Sequence, residues 1–90
     1  MAELPEFDWD EDNISHLARH GIAPEEVEEV FANGEQVSEA QQEHGEIRWV
    51  CFGHTNKGRF LTVVVTERGG RLRLVTAYPM SRQQRKLYES

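Results

Sequence analysis

The side chains best suited to chemistry in this chain lie in its second half. Arg48, Arg71, Arg73, Arg82 and Arg85 carry planar guanidinium forks that make paired, charge-assisted hydrogen bonds to phosphate-like oxyanions, and Lys57 and Lys86 add point charges. His54 contributes an imidazole, the side-chain type that gives or takes a proton near neutral pH, and Tyr78 and Tyr88 contribute phenols. Together they describe an anion-binding surface with acid-base groups at hand. Each also has an ordinary use. Arg48 and Arg73 can pair across strands with Glu46 or Glu67, Tyr78 can close the edge of a core, and His54 can sit in a plain turn.

Two strands have to position most of these groups. Phe60 to Val65 is an unbroken run of apolar and β-branched residues, the pattern of a strand covered on both faces and lying near the middle of a sheet. Glu67-Arg68-Gly69-Gly70 then offers adjacent glycines for a tight hairpin, and Arg71 to Tyr78 resumes as a second strand. Strict alternation would put Arg71, Arg73, Val75 and Ala77 on one face and Leu72, Leu74, Thr76 and Tyr78 on the other. Upstream, Glu46 to Gly53 reads as a further strand with Ile47, Trp49 and Cys51 facing one way and Arg48, Val50 and Phe52 the other. His54 to Gly58 is a polar turn. Trp49, Phe52 and Tyr78, interleaved with the bases, suit stacking or simple core packing.

The first half reads as helices. Phe7 to Asp10 alternates apolar and acidic residues, an extended segment anchored by Phe7 and Trp9. Asp10 or Asp12 then caps a helix through Arg19 or His20, with Gly21 as its stop. Asn13, His16, Leu17 and His20 share one face of it. The His16/His20 pair has the spacing of a chelate, but no third ligand stands at a recognisable spacing, so capping or packing is the expected role and no metal or cofactor is called for. Pro24-Glu25-Glu26 opens a second helix with Val27, Val30 and Phe31 as its apolar stripe and Gly34 at its end. Gln36 to Gly45 is polar, a weak edge strand around Val37 followed by a loop. Ser81 with Gln84 matches a capping box for a short last helix to about Tyr88. The order is two helices, a meander of three or four strands and a helix, an α+β fold with its helices expected on one side of an antiparallel sheet.

Length and charge narrow the functional classes. Ninety residues with a single cysteine, Cys51, allow one domain over 1–90 and exclude a disulfide framework. No segment resembles an export signal or a membrane span, so a soluble, cytoplasmic protein without membrane association is expected. The net charge of −6 conceals a division. Residues 1–45 carry 13 acids against one base, Arg19, a net −12, while residues 46–90 carry nine bases against three acids, a net +6. Such a division suits a basic half that meets a polyanion, an acidic half that meets a basic partner, or two halves that neutralise each other.

Two stretches read together resemble BrnT-type toxins. FDWDEDNISHLARHGIAPEEVEEVF has their Phe-acidic-Trp-Asp opening, short helix ending in basic-His-Gly, and Glu-rich second helix. TERGGRLRLVTA followed by SRQQRKLYE has their Thr-Glu-Arg-Gly turn, Arg-bearing strand and basic terminal helix with tyrosine. The resemblance implies a compact RelE-like fold and the role of a ribonuclease toxin in a type II toxin-antitoxin pair, with RNA as substrate and a cognate antitoxin as partner, in a homo-oligomer or a toxin-antitoxin hetero-oligomer. It carries candidate functional residues to Arg48, Arg73, Arg82 and Arg85. Tyr78-Pro79 and Gln84 depart from the pattern, which has Arg after the Ala of the last strand and often Glu in the last helix.

For RNA cleavage the 2′-hydroxyl must lose a proton, charge on phosphorus must be stabilised, and the leaving oxygen must gain a proton. The expected catalytic set is Arg48, Arg73 and Arg85 for charge and His54 and Tyr78 for protons, with Lys57, Arg71, Arg82, Lys86 and Tyr88 holding RNA. The alternative is a RelE-like binding module that has lost cleavage and only engages a protein partner.

Overall fold

A computed structural model describes residues 5–89. The chain forms α1 (Glu11–Arg19), α2 (Pro24–Ala32), β1 (Gln36–Glu43), β2 (Glu46–His54), β3 (Phe60–Arg68), β4 (Arg71–Pro79) and α3 (Arg82–Glu89). The strands make one antiparallel meander in the order β1-β2-β3-β4, the α+β arrangement expected from the sequence. As its apolar run predicts, β3 is an inner strand, with Leu61, Thr62, Val63, Val65 and Thr66 all buried.

Both flanking hairpins close through two residues in the left-handed region. Gly69 and Gly70 adopt φ of 61° and 79° between the paired Arg68 and Arg71, the geometry that matches strand twist. His44 (φ 53°) and Gly45 (φ 76°) do the same between Glu43 and Glu46. The polar segment expected to pair weakly is therefore a full eight-residue edge strand. A histidine accepting a positive φ is what makes the turn so tight.

α1 and α2 cover one face of the sheet, where Leu17, Ile22, Val27, Val30 and Phe31 meet Cys51, Leu61, Val63, Val65, Leu74 and Ala77. Burial, followed by the carboxylate of Glu35, pushes the Cys51 thiol up to about 11. Asp10 caps α1 by accepting from the Asn13 N–H at 2.8 Å. At the start of α2, Ala23 has no capping oxygen of its own, and Glu26 Oε1 reaches back to accept from the Ala23 N–H at 3.0 Å. α2 lies so close to β2 that a Cβ placed on Gly53 would fall 2.4 Å from Val30 Cγ1. Phe7 bridges to Leu72 in parallel, adding residues 6–8 to the outer edge of β4, and its ring stacks on Trp9 and meets Phe31 edge-on.

Two features differ from the expectation. α3 does not join the other helices. It lies on the opposite face, where strand alternation places Phe52, Thr62 and Tyr78, because its contacting residues Gln84 and Tyr88 reach those side chains. Alternation along β4 is also broken: Val64 pairs with Thr76 but Val65 with Leu74, so Val75 is an extra residue in a β-bulge. The bulge puts Leu72, Leu74 and Ala77 all on the helix side, and Arg71 and Arg73 do not share a face with Ala77.

Candidate functional site

The site assembles where α3 crosses the end of β2 and the start of β3. The Ser81 cap sets the helix: the Gln84 N–H donates to Ser81 Oγ at 3.1 Å, and Gln84 Oε1 accepts from the Ser81 N–H at 3.0 Å. The same Oε1 accepts from buried Thr62 Oγ1 at 3.0 Å, and Gln84 Nε2 donates to the Tyr78 hydroxyl oxygen at 3.4 Å. One side chain thus caps α3 and ties it to β3 and β4. One turn on, Tyr88 drops between Phe52 and Phe60, with ring centroids 6.4 and 5.8 Å away.

That docking brings three chemical groups around Phe60. His54, the cross-strand partner of Phe60, has Nδ1 3.0 Å from the Tyr88 hydroxyl. The Arg85 guanidinium lies over the Phe60 ring with Cζ 4.2 Å from its centroid, a cation-π contact. Only Nε of Arg85 is engaged, by Glu89 Oε1 at 2.9 Å, so both Nη groups lack a partner among the described residues. His54 Nε2 likewise has no partner among them. Hydrogen bonds behind the histidine fix its backbone: the Asn33 amide donates to the His54 carbonyl at 3.0 Å and to Asn56 Oδ1 at 3.0 Å, and buried Thr55 binds Arg59 through its N–H and its hydroxyl. Lys57 rises from this pinned turn, and Arg82 and Lys86, one helical turn apart, project from exposed positions on α3.

The other arginines singled out from the sequence lie elsewhere. Arg48, Thr66 and Arg73 are opposite one another across three strands. Arg48 is six residues from His54 along β2, about 20 Å at strand rise. Both arginines are held by acids: Arg48 by Glu43 at 3.1 Å and Glu46 at 4.0 Å, Arg73 by Asp10 at 2.9 Å and Asp8 at 3.6 Å. Arg71 pairs with Glu6 at 3.6 Å. The acidic residues of the N-terminal segment, spaced by two, thus line up with the two arginines of β4. The Asp10 carboxyl is held below its usual range, first by the Asn13 N–H and also by Arg73. On α1, His16 Nε2 meets Thr76 Oγ1 at 2.8 Å and its ring packs on His20, which is the packing role expected, and no metal-ligating cluster occurs among the described residues.

Phe60, Gln84 and Asn33 were not singled out as site residues. A polar Thr62 in the middle of the apolar run Phe60 to Val65 was the one local sign that a hydrogen-bonding element covers that face. The pairing of Phe60 with His54 is a matter of strand register, which the sequence does not display.

Fold and site together define a small α+β protein whose sheet carries two acidic helices on one face and a basic helix with an open His-Tyr-Arg cluster on the other. The sequence profile of the BrnT family, ribonuclease toxins of type II toxin-antitoxin systems, matches residues 9–84, and the chain belongs to that family. The matched span includes His54, Tyr78 and Gln84 and stops one residue before Arg85. No curated protein matches the chain. No helix among the described residues is long and apolar enough to cross a membrane.

Proposed function

We propose that the chain is an endoribonuclease that cleaves RNA over Phe60, between β2 and α3. The observation carrying this reading is that Tyr88 and Arg85 both meet the Phe60 ring while His54, the cross-strand partner of Phe60, bonds the Tyr88 hydroxyl. With Nδ1–H donating to the Tyr88 oxygen, His54 Nε2 is the proton acceptor. It takes the proton of the 2′-hydroxyl, the 2′-oxygen bonds to phosphorus, and the P–O5′ bond breaks. The products are a 2′,3′-cyclic phosphate and a 5′-hydroxyl. Arg85 stabilises the charge that builds on the phosphoryl oxygens with its two Nη groups. Tyr78 receives a hydrogen bond from Gln84 and keeps its own proton to give, which suits it to protonate the leaving oxygen. Lys57, Arg82 and Lys86 border the patch and hold the RNA backbone.

Arg48, Arg71 and Arg73 have no part in this step, because they stand toward the other end of the strands: Arg48 is six residues from His54 along β2, and Thr66, opposite Arg48 and Arg73, is six from Phe60 along β3. The test is controlled expression in a bacterium with growth and RNA integrity followed for the wild type, His54→Gln and Tyr88→Phe. Arrest with RNA loss is expected for the wild type, abolition for His54→Gln and weakening for Tyr88→Phe. A folded wild type that leaves growth and RNA intact refutes cleavage and leaves a protein-binding module on the same fold, a reading that the carboxylate of Glu89 beside Arg85 favours.

A further inference from the structure

The sheet face that carries α1 and α2 is only partly covered by them. α1 packs on β4 and α2 on β2, and past the C-terminal end of α2 the same face continues as an apolar shelf of Val37, Ala40, Ile47, Trp49, Val65 and Leu72. Cross-strand pairing puts Val37 beside Cys51, and Ala40 beside Trp49 and Val65, on the core side of the sheet. Yet Val37 is 54% and Ile47 47% exposed. A groove of about 380 Å³ runs over the Val37, Trp49, Val65 and Leu72 part of this shelf and is also lined by Pro5, Phe31, Glu35 and Glu67, and Ile47 lies beside Trp49 outside it. Neither carboxylate has a cationic partner among the described residues, whereas Asp8, Asp10, Glu43 and Glu46 each have one.

We infer that this shelf seats a basic amphipathic helix of the antitoxin, in the place a third helix of the layer would occupy. The inference rests on the family's antitoxin partner and adds its docking site and chemistry. The exposed stretch from Val37 to Gln42 is about 17 Å long, which three helical turns span. Apolar residues at helical spacing cover Val37, Ile47 and Trp49, and flanking Lys or Arg residues pair with Glu35 and Glu67 as the complex excludes water. The two carboxylates repel RNA from this face, so the antitoxin and the substrate approach opposite sides of the sheet.

The experiment co-expresses the chain with its cognate antitoxin and measures co-purification, which does not depend on cleavage. Val37→Arg with Ile47→Arg, both at exposed positions and checked for folding by circular dichroism, is expected to cut recovery of the antitoxin at least tenfold. Glu35→Lys with Glu67→Lys is expected to do the same without touching apolar area. In a Trp9→Phe chain, Trp49 emission is expected to move to shorter wavelength when purified antitoxin is added. Undiminished recovery with both double variants overturns the shelf while leaving the antitoxin partnership intact. A wild-type chain that is dimeric by light scattering without antitoxin, and monomeric as Val37→Arg/Ile47→Arg, overturns the choice of occupant in favour of a second copy. Recovery lost in both double variants, with no growth arrest when the wild type is expressed without antitoxin, upholds the shelf and sinks only the nuclease reading.

Discussion

Replacing Arg85 by alanine separates catalysis from folding because the arginine contributes little to the fold. Its side chain is 55% exposed, and it is tied to the protein by one i,i+4 pair with Glu89 and by the face of Phe60. An exposed pair of this kind is worth about 0.3–0.5 kcal/mol and an exposed cation-π contact about 0.5–1 kcal/mol. Truncation should therefore cost roughly 1 kcal/mol, a fall in Tm of about 4–8 °C for a domain this size. The catalytic loss should be larger. Removing a preorganised donor aimed at developing charge typically costs about 10²–10³ in rate. The assay is the initial rate of cleavage of an end-labelled oligoribonucleotide at saturating substrate, alongside thermal melting by circular dichroism. Arg85→Lys should recover the melting temperature but only part of the rate, because a lysine has charge without the fork. A rate within threefold of wild type for a folded Arg85→Ala would refute the role given to this residue, whatever the fate of His54.

Gly53→Ala should destabilise the protein by about 1–3 kcal/mol through overpacking against Val30, read as a lower urea midpoint with unchanged slope. The pH dependence of stability should carry the mark of Asp10. Because its folded-state value lies below the ordinary 3.8, its contribution is present above that value and is lost as pH falls through the lowered one. Asp10→Asn keeps a capping oxygen but has no such titration, so its loss of urea midpoint between pH 7 and pH 3 should be smaller than that of the wild type. An equal loss would show that Asp10 is not involved. Cys51, with its thiol pushed up to about 11, should react with a disulfide reagent at pH 8 at least roughly 100-fold more slowly in the folded protein than in urea. Equal rates would mean that β2 opens readily.

Local chemistry made much of the fold readable. The Asp10 cap, Pro24 in the first turn of α2, the Ser81/Gln84 box and the Gly69-Gly70 turn are all short-range devices, and each is formed where its residues predict. The apolar run at Phe60 required a doubly covered strand, and β3 is one. What went unread was long-range. A bulge at Val75 is one extra residue in a pairing register, and no pattern within β4 announces it. The side of the sheet taken by α3 depends on whether Gln84 and Tyr88 find partners on the Thr62 face or the Val63 face.

The candidate site divides in the same way. The sequence by itself determined the kinds of group available, a basic second half with His54 and two tyrosines among seven arginines and two lysines, and it displayed the features that mark the family. Only the tertiary structure decided which of these groups lie together. Arg48, Arg71, Arg73 and Arg85 are chemically equal and each is paired with an acid, but Arg85 lies over Phe60, the cross-strand partner of His54, while Arg48 and Arg73 stand six residues away along the strands. Which arginine stands beside His54 is set by strand register and by where α3 docks, and both join residues far apart in sequence.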